Sequence, residues 1–273
     1  MPRGYRSDTL AVGAGAIQVV VFNSNLLPQG GMSDLYLVAT GVNNSLDSAI
    51  DQIVVKLEGV EVINLTGAQI RVLLEGLRPS STIPAAGQLT YSIPISWPKT
   101  MSGLWPIPAG VSGIPFGLNV SVEITTTVAA SAGSFQIGWT SLESPPSYML
   151  KSVKRATGIG LNTVAPVSVN TGGNDVIGMI LDNTATKINK LRAVSRLADG
   201  REYQFMDLTP AMIVTLMQDI SPVTVSNPLL CIYEHPYKLG QNSYLEYTTG
   251  AAGLVSDLFA LLEVVDVRPA ATA

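Results

Sequence analysis

The side chains that carry enzyme chemistry are scarce in this chain and stand apart. There is one histidine, His235, in Tyr233-Glu234-His235-Pro236-Tyr237, and one cysteine, Cys231, just before it. A His-rich metal site needs a second imidazole, and a zinc-thiolate site or disulfide framework needs further thiols. The many serines offer a partner for a serine–histidine dyad, but none sits in a Gly-x-Ser-x-Gly elbow. His235 therefore reads as a loop or strand-end residue. Cys231, inside the apolar run Leu229 to Tyr233, reads as a small buried one. Gly13-Ala14-Gly15 and Gly158-Ile159-Gly160 have the glycine content of phosphate loops. Neither lies between a strand and a helix of a βαβ unit and no Gly-Lys-Ser/Thr follows, so both read as linkers. Carboxylates are scattered: Asp47 and Asp51 are four apart and Glu263 and Asp266 three, without the spacing of a calcium loop. No pair is singled out for glycoside hydrolysis. Trp97, Trp105 and Trp139 give sugar stacking its footing. The expectation is a protein that is no enzyme and uses no metal or cofactor.

Composition points to a protein that works through its surfaces. The chain has 273 residues, 47% apolar, with a mean hydropathy of +0.32. Charged residues make up only 13%, about half of what is usual in a globular domain. So thinly charged a surface associates, and much of it is expected to be covered by neighbouring subunits. The net charge of −4 excludes recognition of nucleic acid through a basic stripe. No apolar run is long enough to span a bilayer as a helix. The start, Met1-Pro2-Arg3-Gly4-Tyr5-Arg6, is not followed by the apolar core of a signal peptide, which suggests assembly in a cytoplasm.

The elements that would position these residues are mostly strands. Ile17 to Phe22 reads as a buried strand, as do Leu35 to Ala39 and Ile53 to Leu57; Leu89 to Ile95, Leu118 to Ile124 and Phe135 to Trp139 alternate. Gly and Pro fall mostly between such runs, the pattern of a sandwich or barrel. Two segments read as helices instead. In Gly67 to Glu75, Ile70, Leu73 and Leu74 share a face, with Thr66 as N-cap and Gln69 completing a capping box. In Pro210 to Gln218, Ile213, Leu216 and Met217 do the same, with Thr209 as N-cap and Pro210 at the first helical position.

The two helices expose a duplication. Leu65-Thr66-Gly67-Ala68-Gln69-Ile70 parallels Leu208-Thr209-Pro210-Ala211-Met212-Ile213. Upstream of each lies a strand–turn–strand unit, turning at Glu58-Gly59 and at Asp199-Gly200. Downstream, Val122 to Thr127 parallels Leu245 to Gly250, each followed by a small-residue loop and a last strand. So long a period indicates two copies of one domain, not a solenoid. Each copy has room for eight strands and a short helix, the size of a jelly roll. The fold expected is all-β, two tandem eight-stranded jelly rolls each with a short helix: an N-terminal arm over 1–16, the first jelly roll over 17–143, a linker over 144–160 around Pro145-Pro146, and the second jelly roll over 161–273.

Two tandem jelly rolls, each with a helix after a strand–turn–strand unit, resemble the double jelly-roll major capsid proteins of tailless icosahedral viruses. The stretch Leu191 to Asp219, with Arg196-Leu197-Ala198-Asp199-Gly200-Arg201, is similar to the coat proteins of membrane-containing, corticovirus-like bacteriophages within the wider adenovirus and tectivirus lineage. The resemblance implies a homotrimer that approximates a hexagon and tiles the virion shell. It implies partners among neighbouring capsomers, penton and minor capsid proteins and an internal membrane, with no sequence-specific nucleic-acid binding. Thr66, Ile70, Leu73, Thr209, Ile213 and Leu216 would hold the helices in the cores. Trp105, Ile107 and Phe116, in an apolar Pro/Gly-rich insert, would form an inter-subunit loop. Arg3, Arg6, Lys151, Lys154 and Arg155 would face inward. The rival reading is a carbohydrate-binding or carbohydrate-cleaving protein with two β-sandwich domains.

Overall fold

Val120–Thr126 shows how this chain makes strands. Val120, Val122, Ile124 and Thr126 are buried and the residues between them are half-exposed, so one face meets a core and the other meets solvent. The computed structural model describes residues 3–42, 46–77, 88–93, 112–155, 164–168, 174–181, 188–196, 199–220, 229–238, 243–249 and 259–267. These fall into two compact units, 3–153 with 265–267 and 154–264.

The first unit contains β1 (Gly4–Arg6), β2 (Leu10–Val12), β3 (Val19–Phe22), β4 (Gly30–Thr40), α1 (Leu46–Ala49), β5 (Ile50–Leu57), β6 (Val60–Leu65), α2 (Gly67–Leu77), β7 (Gln88–Ile93), β8 (Ile114–Phe116), β9 (Val120–Thr126) and β10 (Gly133–Ser141). One sheet runs β1-β10-β4-β7, with β2 also on β10 and β8 on β4; the other runs β3-β9-β5-β6. Counting β1 and β2 as one strand and leaving out the short β8, chain positions 1-8-3-6 face positions 2-7-4-5. That is the strand order of a jelly roll, with α2 between the fifth and sixth strands. Phe22, Leu35, Leu37, Ile53, Ile63, Leu65, Phe135 and Ile137 fill its core.

Local chemistry explains the joints. Glu58 and Gly59 both have positive φ, 48° and 79°, the backbone of a two-residue hairpin that joins β5 to β6 with the right twist. Asn119 N–H donates to Glu58 Oε1 at 2.6 Å and its amide donates to Oε2 at 3.2 Å, which holds the unusual Glu58 conformer. At α2 the Gln69 N–H donates to Thr66 Oγ1 at 3.1 Å and the Thr66 N–H donates to Gln69 Oε1 at 3.0 Å, a reciprocal capping box.

β11 (Tyr148–Arg155) runs from the first unit into the second; its Ser152 and Val153 pair in parallel with Ile63 and Asn64 of β6. The second unit continues with β12 (Val164–Ser168), β13 (Asp175–Leu181), β14 (Ile188–Arg196), β15 (Glu202–Leu208), α3 (Pro210–Ile220), β16 (Leu229–Lys238), β17 (Ser243–Thr249) and β18 (Phe259–Asp266). Its sheets run β12-β17-β14-β15 and β16-β13-β18. With β11 counted first, these are positions 2-7-4-5 and 6-3-8, the order of the first unit, and α3 again follows the fifth strand. Val176, Ile177, Met179, Ile180, Leu191, Ala193 and Leu262 are buried there.

Two expectations are corrected. Residues 4–12 form no arm: β1 and β2 pair with β10 as the first strand of the jelly roll. Between them Ser7 exchanges bonds with Ile137, donating N–H to its carbonyl at 2.8 Å and accepting its N–H on Oγ at 2.9 Å, so the backbone stays attached through the break. The stretch 144–160 is no plain linker, because β11 occupies 148–155. Pro145-Pro146 lies in a short break between β10, which ends at Ser141, and β11, whose Tyr148, Met149 and Leu150 are buried.

Candidate assembly surfaces

The two helices occupy matching places and meet different surroundings. In α2, Ile70, Val72 and Leu73 are all buried, and α1 packs against the helix. In α3, Ile213 and Met217 point into the core beside β14 and β16. Counterpart residues then diverge. Gln69 is 3% exposed and Met212 49%; Leu73 is 1% exposed and Leu216 47%. Leu216 was expected in the core, and its exposure corrects that. The i, i+4 pair Ile213 and Met217 takes the core face, and Leu216 sits one residue off it, where nothing among the described residues covers it as α1 helps cover α2. Thr209 caps α3 by accepting the Met212 N–H at 3.3 Å, and methionine at 212 has no side-chain acceptor to return the bond.

A second apolar strip lies on the first unit. β3 ends its sheet, and its inward residues Val20 and Phe22 are buried. Ile17, before the strand, and Val19 and Val21 within it are exposed, Ile17 by 68%. Apart from Gln18 the run Ile17 to Phe22 is apolar on both faces, and only the structure shows that the face of Val19 and Val21 is open while that of Val20 and Phe22 is buried. Unpaired apolar edges promote association, and chains that stay monomeric blunt them with charge. β3 itself carries no charge, but Glu123 of β9 stands directly opposite Val21. On β5, β6 and β9, Lys56 pairs with Glu123 at 2.7 Å, and Asn64 bridges Gln52 and Glu61.

On the second unit a hairpin of ion pairs lies beside the open helix. Arg196 meets Glu202 at 2.9 Å, Lys190 meets Asp207 at 2.8 Å, and Arg192 donates twice to Gln204. The Arg196 hydrogen bond holds the Glu202 carboxyl below its usual range, and Lys190 does the same for Asp207. Tyr203, between these partners, is exposed with Met212 and Leu216. Charge on this hairpin is thus spent within the unit, while Tyr203 on it and Met212 and Leu216 on α3 remain open.

The other predicted residues scatter. Phe116, on β8, is exposed, and Trp105, Ile107 and Trp97 lie outside the described residues. Arg3 and Arg6 are exposed but belong to the paired first strand and its approach; Lys151, Lys154 and Arg155 all lie on β11. Trp139 is half-buried on β10, and Tyr5 stacks on it with ring centroids 5.9 Å apart. Cys231 and His235 lie on β16. Among the described residues no group of three or more His, Cys, Asp or Glu could hold a metal ion, and no helix is long and apolar enough to cross a membrane.

No protein-family model and no curated protein matches the sequence. Solved structures do match. The major capsid protein P2 from bacteriophage PM2 superposes with a TM-score of 0.67 at 14% identity, covering 99% of each chain. The STIV MCP gives 0.63 at 13% identity over 96% of each chain. A chain of the Sulfolobus Turreted Icosahedral Virus structure gives 0.62 at 13%, covering 96% of this chain and 90% of that one. At such identities the likeness is one of fold: this chain has the double jelly-roll fold of those proteins, along its whole length.

Proposed function

We propose that this chain is the major coat subunit of an icosahedral virus shell, working by assembly and not by catalysis. The observation that carries the reading is the end-to-end fold match: both jelly rolls, in one chain, over 99% of this protein and of a bacteriophage major capsid protein. The surfaces support it. Ile17, Val19 and Val21 on one unit, and Tyr203, Met212 and Leu216 on the other, leave apolar area exposed on a chain with few charges. Three copies, each bringing two similar units, would make a pseudo-hexameric trimer whose cyclic contacts cover such patches. Arg3, Arg6, Lys151, Lys154 and Arg155 are then the candidates to face the particle interior, and neighbouring trimers, vertex proteins and an internal membrane the candidates for further contact.

Light scattering on the purified protein tests the assembly step. The reading requires a species near three times 28.8 kDa. A stable monomer at high concentration overturns it.

A further inference from the structure

The turn between β14 and β15 carries a dipeptide with chemistry of its own. Asp199-Gly200 is the only Asp-Gly dipeptide in the chain, and Asn-Gly does not occur. Glycine is the least hindered successor to an aspartate, and here Gly200 has φ +84° and open space where a Cβ would stand. The turn is exposed, yet the Asp199 carboxylate is held. Its Oδ1 accepts the Arg201 backbone N–H at 3.0 Å, and its Oδ2 accepts from Arg201 Nε at 2.6 Å and lies 2.6 Å from Nη2.

We propose that Asp199-Gly200 is this chain's site of isoaspartate formation and that Arg201 is the residue that restrains it. The reaction needs only water. The Gly200 backbone nitrogen attacks Cγ of the protonated Asp199 carboxyl and a new N–Cγ bond forms. The carboxyl OH and the amide proton leave together as water, closing a succinimide ring. Water then opens the ring at the Asp199 main-chain carbonyl, leaving the chain continued through the side chain and its mass unchanged. Arg201 opposes the first step twice. It keeps the carboxyl ionised, which removes the leaving OH; both its backbone and its side-chain hydrogen bonds lower the acid's pKa. It also turns both oxygens toward residue 201 and so fixes Cγ relative to the Gly200 nitrogen. The product would lengthen the backbone of this turn by one methylene next to the Arg196–Glu202 pair.

The test ages the full-length protein at 37 °C, near neutral pH and at mildly acidic pH, and maps isoaspartate by fragmentation mass spectrometry. Arg201 is exposed, so Arg201→Ala leaves the fold intact. Isoaspartate at 199 is expected to build up at least several-fold faster in Arg201→Ala than in the parent. Arg201→Lys should fall between them, and Asp199→Glu in the Arg201→Ala background should remove the signal. The variant's reaction should also persist to higher pH, because its carboxyl protonates more readily. Equal rates in the parent and Arg201→Ala, or isoaspartate that maps to other aspartates, would overturn the proposal. Neither result depends on the state of assembly.

Discussion

Truncating Leu73 and Leu216 to alanine separates folding from assembly, because the two leucines hold matching positions in duplicated helices. Leu73 is 1% exposed, and Leu73→Ala empties a closed site on α2; the unfolding free energy should fall by about 3 kcal/mol. Leu216 is 47% exposed on α3. Only about half of its contact is lost within the subunit, so Leu216→Ala should cost about 1 kcal/mol of subunit stability. In the proposed assembly the other half becomes buried when a neighbouring copy covers it. That contributes about 1 kcal/mol per subunit and ~3 kcal/mol for a trimer, or about 100-fold in the association constant. Guanidinium unfolding at dilutions where the chain is monomeric reads the first quantity, and sedimentation across a concentration series reads the second. Leu73→Ala should lower the unfolding midpoint, while Leu216→Ala should mainly shift dissociation to higher protein concentration. Equal losses of unfolding free energy, or an unshifted dissociation curve for Leu216→Ala, would refute the division into a covered and an open helix.

Other perturbations read the local arguments. Thr66→Ala breaks a reciprocal cap and should cost ~1 kcal/mol in chemical denaturation, and Thr209→Ala, with a single 3.3 Å bond, should cost less. Gly59→Ala meets no neighbouring atom but keeps a φ of +79°, so it should destabilise by about 1 kcal/mol, and a near-zero effect would mean that the hairpin adopts another turn. Glu202 and Asp207 have carboxyls held below their unfolded values by Arg196 and Lys190. Their contribution is present above the ordinary carboxylate pKa of ~4 and is lost as pH falls through the lower folded values, since the unfolded chain takes up protons first. The denaturation midpoint should therefore drop between pH 5 and pH 3 (on the order of the carboxylate range), and Arg196→Gln should flatten that drop.

The duplication was legible because capping chemistry is local. Thr66 with Gln69, and Thr209 with Pro210, mark helix starts that need no knowledge of the rest of the fold, and two equivalent helices at equivalent distances from their hairpins imply two equivalent domains. The first strand was hidden because β1 is exposed throughout and is held to β10 by backbone bonds, which leave no pattern in side-chain type. β11 was hidden behind Pro145-Pro146, although Tyr148, Met149 and Leu150 carried an apolar signal. The assembly surfaces were the least legible. Leu73 and Leu216 look alike in sequence but differ in exposure; α1, which precedes α2 by less than twenty residues, packs on α2, and no such helix packs on α3 among the described residues. The outward valines of β3 could be told from its core residues only once the structure showed which face of the strand is buried.

Electron microscopy of the concentrated protein tests the central claim most directly. A coat subunit of this fold should give capsomers of hexagonal outline with six lobes, two from each chain, ordering into sheets or closed shells as concentration rises. Single subunits that never associate would contradict the assignment.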